Sequence, residues 1–130
     1  MIERKCSCEM GMHHAPLEKY IIESGAVNRL PELLRDYNKV YMVCDENTYR
    51  VLGERAEQIL KSVGKFSHKH ILKGDVLPDA RNIGDVLIHL NDPKADSDIF
   101  KYSPLPDFIL AVGSGVVNDV CRVVSYRLGL

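Results

Sequence analysis

A turn built on two glycines is the part of this sequence best suited to chemistry. Gly113, Ser114 and Gly115 follow the apolar run 108–112, which is typical of a buried strand in a parallel sheet. Apolar residues then recur at helical spacing from Val116 onward. A helix that opens from a glycine turn presents unpaired N–H groups and a positive dipole end, which favour a phosphate group. The pattern predicts a cradle for a nucleotide pyrophosphate, with a tight turn that holds no ligand as the alternative.

Two carboxylates could contribute to the same chemistry. Asp45 follows the apolar run 39–44, where it could accept both hydroxyls of an adenosine ribose or could simply start the next helix, with Asn47 or Thr48 as its cap. Asp119 would lie one turn into the last helix, where it could stabilise the dipole or bind a ligand. Asn118 stands where a dinucleotide fingerprint has its third glycine, and the turn lacks the lysine of a P-loop, so it matches neither motif.

Residues 1–16 show no periodicity and are predicted to be an N-terminal extension without regular structure. They contain Cys6, Cys8, His13 and His14, which could supply four metal ligands. Their spacing matches no established zinc motif, so no metal ligand is assigned in this sequence. The four cysteines of the chain are too scattered for a disulfide framework, which indicates reduced thiols in a cytoplasmic protein.

The composition indicates a single globular domain. The 130 residues are 45% hydrophobic and 27% charged, which is enough to bury a core. The formal net charge is −1 and no basic run is present, so a nucleic-acid partner is not expected. No apolar run approaches the ~20 residues that span a bilayer. The N-terminus also lacks the apolar core of a signal peptide.

Strands and helices that would position these residues alternate along the chain. The predicted strands cover residues 17–23, 39–44, 66–72 and 108–112. The predicted helices cover about 26–37, 48–63, 78–90 and 116–128, with Gly64 and Gly129 as stops. Residues 92–106 are predicted to form a surface loop. His68 and His70 are predicted to be solvated on one face of the third strand.

This alternation predicts an α/β fold, a Rossmann-like, doubly wound and mainly parallel sheet with helices on both faces. Such sheets bind ligands at the carboxyl ends of their strands. Asp45 and the turn 113–119 are both predicted at that edge. Two unrelated signals therefore converge on one place.

Two segments, 43–48 and 105–119, resemble the sn-glycerol-1-phosphate dehydrogenase family. That family belongs to the superfamily of iron-containing alcohol dehydrogenases, glycerol dehydrogenases and 3-dehydroquinate synthase. Gly-Ser-Gly-x-x-x-Asp at 113–119 is similar to the superfamily's Gly-Gly-Gly-Ser/Lys/Thr-x-x-Asp loop, and Ser114 in the middle is a variant of the bacterial branch. The resemblance covers residues 17–130 and corresponds to the amino-terminal, NAD(P)-binding domain only.

The resemblance implies cofactor-binding residues but no catalytic residue in this chain. Asp45 would face the adenine ribose and disfavour a 2′-phosphate, although NAD(H) and NADP(H) both stay open. The glycine turn would line the pyrophosphate through its backbone, and Asn118 and Asp119 would lie towards the nicotinamide half. The implied set is Asp45, Gly113, Ser114, Gly115, Val116, Val117, Asn118 and Asp119.

The family reaction is the reversible reduction of dihydroxyacetone phosphate to sn-glycerol 1-phosphate by hydride from NAD(P)H. A divalent metal (Zn, Fe or Ni), expected in a C-terminal domain absent from this chain, would polarise the carbonyl. The resemblance thus implies the cofactor half of an enzyme, inactive alone, that acts on a small phosphorylated substrate. Its uncovered apolar face would favour self-association, for example as a homodimer. Two alternatives stay open: another polyol dehydrogenase or dehydroquinate-synthase-like enzyme of the superfamily, or a non-catalytic nucleotide-binding module.

Overall fold

A short antiparallel hairpin precedes the main body of the chain. The structure is a computed structural model that describes residues 2–15, 17–91 and 105–130. Strand β1 (Ile2–Lys5) pairs with strand β2 (Met12–Ala15), with Glu3 opposite His14 and Lys5 opposite Met12. The prediction of an extension without regular structure is therefore wrong.

A parallel sheet lies at the centre of the described residues. It consists of β3 (Val40–Asp45), β4 (Phe66–Leu72) and β5 (Phe108–Val112), in the spatial order β4-β3-β5. Asp107 joins the beginnings of two of these strands, because its carboxylate accepts the backbone N–H groups of Asn38 and Lys39, each at 2.8 Å. The three strands were predicted from the sequence, and their positions are confirmed within one residue.

Helices pack on both faces of this sheet. On one face lie a 3₁₀ turn (Ala26–Arg29), α1 (Leu30–Leu33) and a longer helix made of α2 (Glu46–Thr48), a π-helical segment (Tyr49–Gly53) and α3 (Glu54–Ser62). On the other face lie α4 (Ala80–Ile88) and α5 (Gly115–Leu128). None of the helices in the described residues is long and apolar enough to cross a membrane.

The core explains why β3 is apolar throughout. Its residues 40–44 are 0% exposed because helices cover both of their faces. Tyr41 and Val43 pack with side chains of α4 and α5, whereas Met42 and Cys44 pack with Ala56 of α3. The doubly wound α/β fold predicted from the sequence is confirmed by this arrangement.

The predicted first strand, residues 17–23, is wrong. This segment has no helix or strand assignment in the structure. Its Tyr20 and Ile22 are 68% and 90% exposed, so no sheet buries these apolar residues. Leu17 and Glu18 line a cavity along β5, which places the start of the segment beside that strand without pairing.

Two helices end at the predicted glycine stops, but not every helix has the predicted extent. Gly64 and Gly129 have φ angles of 69° and 70°, a left-handed conformation that ends a helix at little cost only for glycine. The helix predicted over 26–37 is shorter, a 3₁₀ turn and a single α-helical turn with Pro31 in its first positions. The predicted loop 92–106 lies outside the described residues apart from its last two.

Candidate nucleotide-binding site

The candidate site lies where the direction of the chain reverses across the sheet. The connection from β3 leads to β4 on one side, whereas β5 lies on the other side of β3. Parallel α/β sheets bind ligands in the crevice at such a switch point, outside the carboxyl ends of the strands. Cys44 is paired with Val112 in the register of β3 and β5, and neighbouring strands lie about 4.8 Å apart. Asp45 and Gly113, which follow these two residues, therefore flank the same crevice.

The two glycines of the turn have different surroundings. A Cβ atom on Gly113 would come within 2.7 Å of a methyl carbon of Val117, so glycine is required there for packing. A Cβ atom on Gly115 would meet no heavy atom within 4 Å. Gly115 thus leaves open space beside the backbone, as a ligand that approaches the main chain would need.

The first turn of α5 is available to an anion. Ser114 is the N-cap residue, but its side chain makes no capping hydrogen bond, and the first turn holds no acidic residue. The first hydrogen bond of this helix runs from the N–H of Asn118 to the carbonyl of Ser114. The N–H groups of Gly115, Val116 and Val117 come before it, so they have no acceptor within the helix. Val117 is fully buried and Val116 half-buried, so both can reach a ligand mainly through the backbone.

Asn118 and Asp119 are exposed on α5. Asn118 lines a cavity of about 860 Å³ that runs along the outer edge of β5. Asp119 is the fifth residue of the helix, beyond the first turn in which the dipole acts most strongly. Of its two predicted roles, dipole stabilisation is therefore disfavoured, and ligand binding stays a prediction.

Asp45 is the last residue of β3 and the N-cap of α2. Its Oδ1 atom accepts the backbone N–H groups of Asn47 and Thr48 at 2.9 and 2.8 Å. Thr48 returns a bond, since its hydroxyl accepts the Asp45 N–H at 3.1 Å and completes a capping box. The prediction that Asp45 starts this helix is confirmed, whereas the prediction that Asn47 or Thr48 caps it is wrong. Among the described residues nothing donates to Oδ2, which leaves that oxygen for a ribose hydroxyl.

A cavity beside Asp45 involves residues that the sequence did not single out. It has a volume of about 460 Å³ and is lined by Asp45 and by the loop 74–77 that follows β4. This size falls within the range of small-molecule sites. The sequence did contain one signal for this loop. The loop follows a predicted strand, which places it at the same sheet edge as Asp45. Gly74, with a φ of 72°, turns the chain there.

A charge network is centred on the buried carboxylate of Glu57, in the helix that follows Asp45. Glu57 accepts hydrogen bonds from Tyr49, Lys61 and Lys69 at 2.9, 2.6 and 2.6 Å. Burial raises the pKa of Glu57, but these three hydrogen bonds outweigh burial and lower the pKa to about 2. The network joins α3 to β4 behind the candidate site, and sequence reasoning missed it.

The histidines of β4 are not solvated as predicted. His68 is buried, its Nε2 lies 2.8 Å from the carbonyl of His89, and its ring stacks on Tyr41. His70 Nε2 lies 2.7 Å from the Asp85 carboxylate, and its ring stacks on His89 with planes 16° apart. Donor atoms of His70, Asp85 and His89 come within 4.8 Å of one another. The two rings are stacked face to face with centroids 4.2 Å apart, and the lone pair of an imidazole lies in the plane of its ring, so in this arrangement the two rings do not direct lone pairs at one ion. We assign these residues to the packing of α4 on β4.

Comparisons with known proteins relate the chain to a family of enzymes. The family model for iron-containing alcohol dehydrogenases matches residues 21–130. The chain is 32% identical to a glycerol-1-phosphate dehydrogenase (NAD(P)+) of Halalkalibacterium halodurans, over 94% of this chain and 30% of that protein. It is 28% identical to the protein of the same name from Geobacillus stearothermophilus, over 98% of this chain and 30% of the relative.

Similarity extends to a second type of enzyme. The chain is 29% identical to a 3-dehydroquinate synthase of Staphylococcus carnosus, over 81% of this chain and 28% of that protein. No solved structure matches the chain. The chain spans about 30% of the length of the curated relatives it matches. The resemblance noted from the sequence is confirmed, and the chain belongs to the iron-containing alcohol dehydrogenase family.

Proposed function

We propose that this chain is the NAD(P)-binding part, residues 17–130, of a metal-dependent dehydrogenase that reduces dihydroxyacetone phosphate to sn-glycerol 1-phosphate. The observation that carries the proposal is the open first turn of α5 at the switch point of the sheet, where a Cβ atom on Gly115 would meet no heavy atom within 4 Å. The names of the relatives from Halalkalibacterium and Geobacillus support the reaction and the cofactor.

The N–H groups of Gly115, Val116 and Val117 would donate to the pyrophosphate oxygens. They point out of the helix N-terminus, where the dipole also favours negative charge. Gly115 would let the phosphates approach the backbone, whereas Gly113 would hold the turn against Val117. These groups bind and orient the cofactor, which supplies the hydride.

Asp45 would bind the adenine ribose through its free oxygen. Oδ1 already holds α2, so Oδ2 would accept a ribose hydroxyl without loss of the cap. Its negative charge would repel a 2′-phosphate and favour NAD(H) over NADP(H). Asn118 and Asp119 would lie beside the cofactor on its nicotinamide side.

The carbonyl chemistry would use residues beyond this chain. The relatives are about three times as long as the part that the chain matches. Neither cluster of metal-binding side-chain types in the described residues includes a residue of the glycine turn or of α5. We therefore place the catalytic metal and the phosphorylated substrate in a further domain, with a homodimer as the proposed assembly.

Enzyme assays can test the proposed reaction. The protein that carries this sequence, with the rest of its reading frame, should oxidise NADH when dihydroxyacetone phosphate is added. Dihydroxyacetone without the phosphate is the matched control and should support far slower oxidation. NADH binding without any dehydrogenase activity, together with cyclisation of a sugar-phosphate substrate, would favour the synthase-like alternative. The similarity to the Staphylococcus carnosus enzyme is the observation behind that alternative.

A further inference from the structure

The N-terminal hairpin brings two thiols and an imidazole to one point. Cys6 and Cys8 lie in the turn between β1 and β2, and His13 lies in β2. The Sγ atom of Cys8 is 2.9 Å from Nε2 of His13. One donor atom from each of the three residues lies within 4.8 Å of the other two. The three side chains are exposed, so an ion could reach them from solvent.

We propose that Cys6, Cys8 and His13 form a zinc-binding site with a fourth position open to water or to another ligand. Two thiolates and an imidazole are ligands that Zn²⁺ prefers, and the two thiolates neutralise its charge. Tetrahedral bonds of ~2.3 Å to sulfur and ~2.0 Å to nitrogen separate the ligand atoms by about 3.5–3.8 Å. The observed donor set needs only small side-chain shifts to reach these separations.

Backbone hydrogen bonds within the hairpin turn hold the two cysteines near His13. The thiolate is the form of cysteine that binds metals. The turn closes through Cys6 N–H to Gly11 carbonyl at 2.8 Å and Gly11 N–H to Cys8 carbonyl at 3.0 Å. Gly11 makes this closure possible with its φ of 67°.

Residues 3–14 of the hairpin do not form an apolar core. All of them are exposed except Gly11, which is half-buried. An isolated two-stranded hairpin is marginally stable at best in water. Small elements that lack a core are commonly held by a metal, whose binding free energy then becomes folding free energy. A bound ion would therefore explain how this segment keeps its shape.

The structure separates His14 from the other three residues. His14 lies opposite Glu3 in the hairpin, and its Nδ1 is 3.2 Å from the Glu3 carboxylate. Because successive strand residues point to opposite faces, His14 faces away from His13. The set of four potential ligands considered from the sequence is thus reduced to three. His14 becomes a matched control within the same strand.

Cobalt titration tests the site on the full, reduced chain. Co²⁺ should bind in a ratio of one ion per chain, with a thiolate-to-cobalt charge-transfer band in the near ultraviolet, and Zn²⁺ should displace it. Even outer-shell partners change metal affinity by about 10–100-fold, so Cys6→Ser, Cys8→Ser and His13→Gln should each weaken Co²⁺ binding by at least about tenfold. His14→Gln should leave the affinity and the spectrum unchanged. Circular dichroism should show that each variant keeps the helices of the α/β body, which the hairpin does not form.

Two results would overturn this proposal. One is the absence of a charge-transfer band in the reduced wild-type chain at Co²⁺ concentrations far above that of the protein. The other is a band that persists with unchanged intensity in folded Cys6→Ser and Cys8→Ser variants, since the thiolates would then belong to Cys44 or Cys121. Both of those cysteines are buried and free.

Discussion

Replacing each glycine of the turn should separate packing from cofactor binding. Gly115 is the first residue of α5, has no positive φ, and has no heavy atom near the place of a Cβ. Gly115→Ala should therefore stabilise the protein without cofactor by about 0.4–1 kcal/mol, chiefly by restricting the unfolded chain. Gly115→Val should leave a folded protein as well. In both variants the new side chain occupies the space through which the pyrophosphate would reach the backbone.

The loss in affinity can be approximated from the hydrogen bonds at stake. A hydrogen bond to a charged group contributes about 1.5–3 kcal/mol, so displacing one backbone donor from the pyrophosphate should weaken binding by about 10- to 150-fold. Gly115→Val, with the bulkier side chain, should show the larger effect. NADH fluorescence titration measures the affinity, and thermal unfolding without cofactor measures the stability.

Gly113→Ala is the matched control for this experiment. Its Cβ would meet the Val117 side chain at 2.7 Å, so the variant should lose about 1–3 kcal/mol of stability through overpacking. Substitution of Gly113 should thus lower the stability more than substitution of Gly115, whereas substitution of Gly115 should lower the NADH affinity more. A folded Gly115→Val variant with the NADH affinity of the wild type would refute the assignment of the pyrophosphate to this turn.

Substitutions at three further residues test the proposed ribose contact, the Glu57 network and the Asp107 contact. Asp45→Ser should keep the cap, because serine caps helices about as well as aspartate, while raising the affinity for NADPH relative to NADH; an unchanged ratio of the two dissociation constants would exclude the ribose role. Glu57 has a folded pKa of about 2 against an ordinary 4.5, so its stabilising effect should be complete above pH 4.5 and disappear as the pH falls to 2. Glu57→Gln should lower the free energy of unfolding at pH 7 by about 1–3 kcal/mol and flatten its acid dependence, and parallel curves for both proteins would contradict the network. Asp107→Ala should cost about 1–3 kcal/mol in chemical denaturation, since it leaves the N–H groups of Asn38 and Lys39 without their carboxylate, and Asp107→Asn should recover part of the loss.

Local patterns predicted the parallel strands well, as they did the ends of the two helices that stop at Gly64 and Gly129. The apolar runs that became β3 and β5 carry their signal in sequence, because a strand covered on both faces is apolar at every position. Gly64 and Gly129 were recognised as stops because only glycine adopts the left-handed cap easily. These features depend on neighbours in the chain, which a single sequence contains.

Features that depend on distant partners were missed. The segment 17–23 has the apolar residues of a strand but pairs with none, and pairing is a property of the whole sheet. Leu52 belongs to the predicted apolar stripe of its helix yet is 41% exposed, because the π-helical segment that contains it changes the helical period. His68 was expected in solvent, and α4 covers it. The contact between Cys8 and His13 depends on the register of the hairpin formed by β1 and β2. No periodic pattern in the sequence predicts that hairpin.

For the candidate site, the sequence predicted a set of residues but not how they are arranged. It predicted Asp45 and the glycine turn at one sheet edge, and the strand order now places them on either side of the switch point. It could not separate the capping role of Asp45 from the proposed ribose role, because the carboxylate has one oxygen that caps the helix and a second that could bind a ligand. The sequence also suggested the same explanation, a turn open to a ligand, for both Gly113 and Gly115. The structure shows that packing requires glycine only at position 113.

Cofactor mapping by NMR is the most direct test of the central claim. Amide spectra of the ¹⁵N-labelled chain would be recorded as NADH is added, with the assignments of the described residues as a map. The account predicts that the largest shifts fall on Gly115, Val116 and Val117, with a second group at Asp45 and the following cap. Shifts confined to other parts of the chain, or no shifts at saturating NADH, would contradict the assignment of this sheet edge to the dinucleotide.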